Sequence, residues 1–240
     1  MHDFGKVAYL DLHKTGSSYI SEFLNSCCKL EQLSFVKHDW VRDNFRDDCF
    51  YFISIRNPLQ IYSSLYRFGL EKKGDVYGRL KNANMLSTYK TFDTFVGFCL
   101  QNKNADFLGF GYSAEISKSI GFISFRFLKL SLQFPMRKIH NCLSEGRHLK
   151  TLQEDFITRL EIKNETLKED LRKLSLDLLP EYFDKERVES FLGQDLLINT
   201  STISANDIGY LSNETLINMH HKEWLLNSRY LSDNTVEGVI

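Results

Sequence analysis

The chain has 240 residues, of which 42% are hydrophobic, and it contains 19 Phe and 11 Tyr. This length and apolar content predict a single domain with a sizeable core over residues 1–240. A formal net charge of −1 disfavours a general nucleic-acid-binding protein, because phosphate binding usually leaves a basic imbalance.

Cysteine usage and hydropathy disfavour further classes of protein. The five cysteines are odd in number and lack C-x-x-C spacing, which suggests neither a disulfide framework nor a zinc site. No apolar run is long enough for a transmembrane helix, and the first residues do not read as a signal peptide. We therefore predict a cytoplasmic protein without a transmembrane segment and without a bound metal.

The N-terminal residues predict a strand, a tight loop and a helix. Residues 6–12 are an apolar run of strand length, and residues 13–18 are a polar turn with one glycine. Apolar residues then recur at helical spacing from Tyr19 to Leu24. A second strand is predicted over 33–37.

The order of strand, loop and helix recurs over residues 50–69. Residues 50–55 predict a buried third strand. Asn57 suits a helix N-cap and Pro58 the first helical position, so a helix should run from there to about Gly69.

A loop is predicted over 71–87, followed by a helix near 89–101 and a helix over 116–134 that is apolar nearly all round. A strand is predicted over 155–161, and further helices are predicted over 167–179 and 212–230. Strands alternating with helices predict an α/β fold with a central, mainly parallel sheet flanked by helices.

Two strand-to-helix junctions are candidate anion sites. A helix N-terminus at the carboxyl edge of a parallel sheet offers backbone N–H groups and a partial positive charge. At residues 13–18, Lys14 adds a charge and Gly16 allows close backbone approach. At the second junction, Arg56 ends a strand and Ser64 lies in the following helix. Taken alone, each motif fits a solvated turn or a surface ion pair equally well or better.

Together the two motifs resemble those of the sulfotransferases that use 3′-phosphoadenosine 5′-phosphosulfate (PAPS). Residues 13–18 (HKTGSS) are similar to the family's 5′-phosphosulfate motif P-K-T-G-[TS]-[TS]. Residues 56–64 (RNPLQIYSS) are similar to its 3′-phosphate motif R-x-P-x-x-R-x-x-S, although Ile61 replaces the internal Arg and His13 the first Pro. Later stretches resemble the carbohydrate sulfotransferase branch, except over about 103–150.

The resemblance implies a P-loop-like three-layer fold and transfer of a sulfuryl group from PAPS to a carbohydrate hydroxyl, without a metal. It also implies a role in polysaccharide biosynthesis. The implied cofactor-binding residues are Lys14, Thr15, Gly16, Ser17, Ser18, Arg56, Ser64 and Ser201, the last with Asn199 in a closing segment.

Two residues are expected to act in the reaction. Lys14 should meet the charge that grows on the leaving phosphate oxygen. His38, which follows the second strand, is the preferred general base, with Asp39 a candidate to orient it and His13 the next candidate base. The alternative for His38 is a surface residue that ends a strand.

Residues 103–150 are predicted to be an insertion that sets acceptor specificity. If its basic residues form a binding patch, they favour an anionic or lipid-linked glycan as the acceptor; the alternative is that they form a solvated face. These basic residues are Arg126, Lys129, Arg137, Lys138, Arg147, His148 and Lys150. The apolar 116–134 segment leaves peripheral membrane contact and a homodimer open.

Two rival functions remain at this point. A nucleotide or small-molecule kinase would need a magnesium site, for which Asp39 is the tempting candidate. However, Lys14 precedes the only glycine of its loop, unlike an ATP-binding phosphate loop. A degenerate nucleotide-binding module would bind 3′-phosphoadenosine 5′-phosphate (PAP) without transfer.

Overall fold

A computed structural model describes residues 1–41, 45–195, 203, 204 and 209–232. Within them, one five-stranded sheet has the order β3-β1-β2-β4-β5, with β1 His2–Asp3, β2 Val7–Leu10, β3 Ser34–Phe35, β4 Phe50–Ile55 and β5 Thr158–Lys163. Strands β2, β4 and β5 are parallel, whereas β1 pairs antiparallel with both β2 and β3. The α/β class with flanking helices is confirmed, and the sheet is mixed.

The α-helices in this described part of the chain are α1 Ser17–Cys27, α2 Pro58–Leu70, α3 Asp75–Asn82, α4 Phe92–Leu100, α5 Ala105–Leu108, α6 Ala114–Ser117, α7 Phe122–Ser131, α8 Pro135–Ser144, α9 Leu167–Arg172, α10 Lys185–Leu192, α11 Asn213–Lys222 and α12 Trp224–Leu231. A π-helical segment, Lys173–Leu178, continues α9. Short 3₁₀ turns lie at Leu86–Tyr89, Asn102–Asn104, Leu149–Asp155 and Pro180–Tyr182.

Strands β2 and β4 are apolar on both faces because helices cover both sides of the sheet. Ala8, Leu10 and Ile53 point into the larger core, which α2, α4 and α7 complete. Tyr9 and Phe52 point into a smaller core with α1, α9 and α10. Side chains alternate along a strand, so a run buried on both faces reads as continuous hydrophobicity.

Several predicted elements differ from the observed ones. The predicted strand at 33–37 is only the two-residue, exposed edge strand β3, which pairs with β1. The loop predicted over 71–87 contains α3, whose buried Val76 and Leu80 hold it against the core. The helix predicted over 116–134 is divided into α6 and α7.

Helix α7 is buried along its whole length. The predicted solvated face is therefore wrong for two of its basic residues, since Arg126 is 1% and Lys129 5% exposed. This part of the predicted 103–150 insertion belongs to the larger core. None of the helices in the described residues is long and apolar enough to cross a membrane.

Glu223 fixes the start of α7 from the junction of α11 and α12. Its carboxylate is fully buried and accepts hydrogen bonds from the Tyr62 hydroxyl (2.6 Å), Ile123 N (3.2 Å) and Ser124 N (2.7 Å). A carboxylate at a helix N-terminus satisfies N–H groups that have no partner within the helix.

We expect Glu223→Ala to lower the free energy of unfolding by about 2–3 kcal/mol, because three buried donors lose their acceptor. Urea unfolding followed by circular dichroism measures this loss. Glu214→Ala, which removes an exposed carboxylate from the first turn of α11, is the matched control and should cost less than about 1 kcal/mol. An equal loss in both variants would contradict this role of Glu223.

Candidate functional site

The loop between β2 and α1 lies at the carboxyl edge of the parallel strands. Lys14 has φ 63° and Gly16 has φ 93°, so two of its residues are left-handed. A Cβ on Gly16 would come within 2.9 Å of the Asn164 side-chain nitrogen, which follows β5. Gly16 therefore allows both the turn and the close approach of the neighbouring strand end. No side chain in the described residues caps the N-terminus of α1.

Thr15 holds this loop in place through its side chain. Its fully buried hydroxyl donates to the carbonyl oxygen of Leu12 (2.8 Å) and lies 2.5 Å from the Ser54 hydroxyl of β4. The hydroxyl of this predicted cofactor-binding residue is therefore committed to the fold and is not free to donate to a ligand. Ser17 and Ser18 begin α1 and are half-buried.

The second predicted motif lies directly against the first. The Arg56 guanidinium donates to the carbonyl oxygen of Lys14 (3.3 Å) and to Oε1 of Gln60 (2.8 Å). Asn57 caps α2 by accepting from Leu59 N (2.9 Å), as expected for an Asn-Pro helix start. Ser64 is half-buried on the same helix. The structure thus brings the two motifs to one edge of the sheet.

Arg67 is a third cation at this edge, and sequence reasoning did not assign it a role. It follows Ser64 by three residues, which is about one helical turn. Its Nη1 donates to the carbonyl oxygen of Ile203 (3.0 Å), and its buried Nε has no partner in the described part of the chain. Its charge lowers the pKa of both Lys14 and Arg56, although burial is the larger cause for each.

The Lys14 ammonium is crowded by other positive charges. Burial first, and then the charges of Lys37, Arg67 and Lys73 against an opposing Glu71, lower the pKa of Lys14 to about 8. Its Nζ lies 3.2 Å from the centre of the Phe68 ring. A bound anion would offset this repulsion, so the local charge favours a phosphate-like ligand.

His38 and Asp11 form a hydrogen-bonded pair beside this loop. His38 Nδ1 lies 2.9 Å from the Asp11 carbonyl oxygen and 3.1 Å from Oδ2, and His38 N donates to Oδ1 (2.7 Å). Both partners of Nδ1 are acceptors, so Nδ1 carries the proton of the neutral ring and Nε2 keeps its lone pair. Asp11, and not Asp39 as predicted, orients the imidazole.

The buried Asp11 carboxylate is kept ionised by these partners. Burial alone would raise the pKa of Asp11, but the hydrogen bond and charge of His38, together with the N-terminal ammonium, lower it overall. A charged Asp11 can stabilise an imidazolium on His38, which is what a general base becomes when it accepts a proton.

His13 stacks on His38, with the ring centres 3.6 Å apart. Burial is the main cause that lowers the pKa of His13, followed by the charges of His38 and Arg126. The pair therefore joins the candidate base to the residue that directly precedes Lys14. His38 has φ 57°, and Lys14, which follows His13, has φ 63°. A residue other than glycine with a left-handed backbone therefore lies on each side of this contact.

The C-terminal helix ends at the same edge of the sheet. Arg229 pairs with Glu161 of β5 (2.8 Å), and the Lys163 ammonium donates to the carbonyl oxygen of Ser232 (2.7 Å). Burial first, and then the charge of Glu165, raise the pKa of Tyr230, and the charge of Arg56 opposes this rise. Ser201 and Asn199, predicted to close over the ligand, lie outside the described residues.

Two surface hollows, one lined by residues of α1 and α10 and one beside α4, contain none of the residues discussed above. Within the described ranges, no group of three or more His, Cys, Asp or Glu side chains is arranged to hold a metal ion. Comparisons with protein-family models, curated proteins and solved structures found no match to this chain.

Proposed function

We propose that this protein transfers a sulfuryl group from PAPS to a hydroxyl of a carbohydrate. The contact between Arg56 and the Lys14 loop carries the proposal, because the two motifs that resemble the PAPS signature come from distant parts of the chain and meet at one edge of the sheet. The proposed architecture is the P-loop-like three-layer arrangement of that family.

The residues at this edge fit a nucleotide that has phosphates at both its 3′ and 5′ positions. Lys14, the Gly16 turn and the start of α1 would hold the 5′-phosphosulfate. Arg56 and Ser64 would hold the 3′-phosphate, and the unpartnered Nε of Arg67 supplies a further donor. The excess of cations supports a ligand with several negative charges.

When bound, PAPS supplies the sulfuryl group and a phosphate leaving group. His38 Nε2 accepts the proton of the attacking hydroxyl while Asp11 holds the ring and stabilises the resulting charge. Lys14 stabilises the negative charge that grows on the leaving oxygen. The residues mainly position the partners and balance charge, as in phosphoryl transfer.

The decisive experiment compares PAP with adenosine 5′-monophosphate, which lacks the 3′-phosphate. Isothermal titration calorimetry should show that the wild-type protein binds PAP at least about tenfold more tightly. Arg56→Gln should remove most of that preference and change the affinity for adenosine 5′-monophosphate little. The matched control, Arg79→Gln on α3, should keep the preference.

Two outcomes would contradict the proposal. One is equal affinity of the wild-type protein for both nucleotides. The other is stabilisation by ATP with Mg²⁺ but not by PAP, which would favour a kinase. Binding of PAP without transfer to any glycan in a mass-spectrometric screen would instead leave a nucleotide-binding module.

A second prediction concerns the pH dependence of PAP binding. The pKa of Lys14 is about 8 in the free protein, and only its protonated form attracts the anion. Binding should raise this pKa, so the protein should take up protons from about pH 8 upward and PAP affinity should fall as pH rises.

Calorimetry at pH 8.5, in two buffers with different ionisation enthalpies, measures this proton uptake. Lys14→Met should show little uptake. Tight PAP binding by the wild-type protein without any proton uptake would contradict a direct contact between Lys14 and the nucleotide.

A further inference from the structure

Phe110 lies against the candidate site through its contacts with His13 and Arg126. Residues 109–111 all have positive φ, at 77°, 61° and 83°. This conformation is costly for phenylalanine and is retained only where the surroundings impose it. The Lys129 ammonium donates to the Phe110 carbonyl oxygen (2.6 Å) and holds the turn in place.

The Phe110 ring lies beside two polar groups that lack complete partners. Its centre is 3.8 Å from the guanidinium carbon of Arg126 and 5.2 Å from the centre of the His13 ring. Arg126 Nε and His13 Nδ1 are both buried, and neither has a hydrogen-bond partner in the described residues. Buried polar groups are normally paired, so two such atoms around one ring suggest a ligand.

Arg126 is an unusual buried charge. Only 1% of the residue is exposed, and its Nη2 donates to the His38 carbonyl oxygen (3.1 Å). No carboxylate of the described chain lies within ion-pair distance. The charge of Asp11 acts on Arg126 only from beyond contact distance. A buried charge without a contacting counter-ion is expensive, and the bond of Arg126 to His38 uses only one of five donors.

We infer that Arg126 binds a carboxylate of the acceptor, and that the acceptor is therefore a glycan containing a hexuronate. The forked guanidinium matches a planar carboxylate, and displacement of the Phe110 ring would open its face. The carboxylate would bind next to His38, so the hydroxyl that reacts lies on the hexuronate or on its neighbouring sugar. This inference depends on the proposed function.

The test uses hexuronate-containing oligosaccharides, each paired with its carboxyl-reduced counterpart, as acceptors for PAPS-dependent transfer. For the wild-type enzyme, kcat/KM should be at least about tenfold higher for the acidic member of a pair. Arg126→Met should bring that ratio within about threefold of one, with unchanged PAP affinity. The matched control, Arg137→Met on the exposed side of α8, should keep the wild-type ratio.

Arg126→Lys provides a second variant in case the methionine variant does not fold. It keeps the buried charge but loses the fork, so the ratio should fall at least about threefold. This ratio separates recognition from a structural role, because a general loss of folding would lower transfer to both members equally.

The inference is overturned if the wild-type enzyme uses both members equally. It is also overturned if the folded variants keep the wild-type ratio, or if no hexuronate glycan is accepted by a protein that binds PAP and sulfates a neutral glycan. Failure of the wild-type protein to bind PAP would overturn the proposed function first, and the acceptor inference with it.

Discussion

Lys14→Met is expected to lower kcat for sulfuryl transfer by about 10²–10³-fold, equivalent to about 2.7–4 kcal/mol of transition-state stabilisation. Methionine has a similar length but no charge, so the negative charge on the leaving phosphate oxygen would lose its partner. The free energy of unfolding should not fall, because the variant removes a partly buried ammonium that lies among other cations. Single-turnover kinetics with saturating PAPS measures the effect on chemistry.

Lys73→Met is the matched control for Lys14. Lys73 is exposed, pairs with Glu71 (3.0 Å) and contributes only to the surrounding positive field. Its removal should change kcat by less than about twofold, because exposed charges are screened by water and salt. A Lys14→Met enzyme that kept more than a tenth of the wild-type kcat would exclude Lys14 from the transition state.

The sequence predicted the elements that carry strong local signals. Strand β4 is a continuous apolar run, and Asn57 and Pro58 mark the start of α2, so both elements were predicted closely. Strand β1 has only two residues and depends on its partners β2 and β3, which a local pattern does not reveal. Helix α3 is mostly polar, so its local pattern predicts a loop. The helix forms because packing of its few apolar residues stabilises it.

The residues of the candidate site likewise divide into those that the local sequence indicates and those that depend on tertiary packing. Lys14 and Arg56 each follow a parallel strand, so their meeting at one edge follows from topology once the strands are correct. Asp11 is the one carboxylate in the apolar run 6–12 and directly follows β2, so the sequence does carry a signal for the partner of His38. Arg126 could not be found in this way, because its approach to His38 depends on how α7 packs.

Backbone strain gives a further reason to regard these contacts as functional. Lys14, His38 and Phe110 all have positive φ, and Lys14 and Phe110 are bulkier than the residues that favour this conformation. They lie next to one another through the His13 ring. Strain of this kind persists where a precise placement is retained at a cost of about 1–3 kcal/mol per residue.

His38→Asn is expected to lower kcat by about 10²–10⁴-fold, the usual contribution of a positioned general base. Asparagine tolerates the left-handed backbone of this position, and its N–H can still donate to Asp11, so the fold and PAP affinity should be retained. His140→Asn, on the exposed side of α8, is the matched control and should leave kcat unchanged.

Two companion variants separate the roles around His38. Asp11→Asn can present an amide donor to Nδ1 and so favour the tautomer with its proton on Nε2, which cannot act as a base; kcat should fall about tenfold or more. His13→Asn should have a smaller effect than His38→Asn if His13 only supports the ring by stacking. Full turnover by His38→Asn together with a large loss in His13→Asn would transfer the role of base to His13, because the two rings are in contact and both lie next to the Lys14 loop.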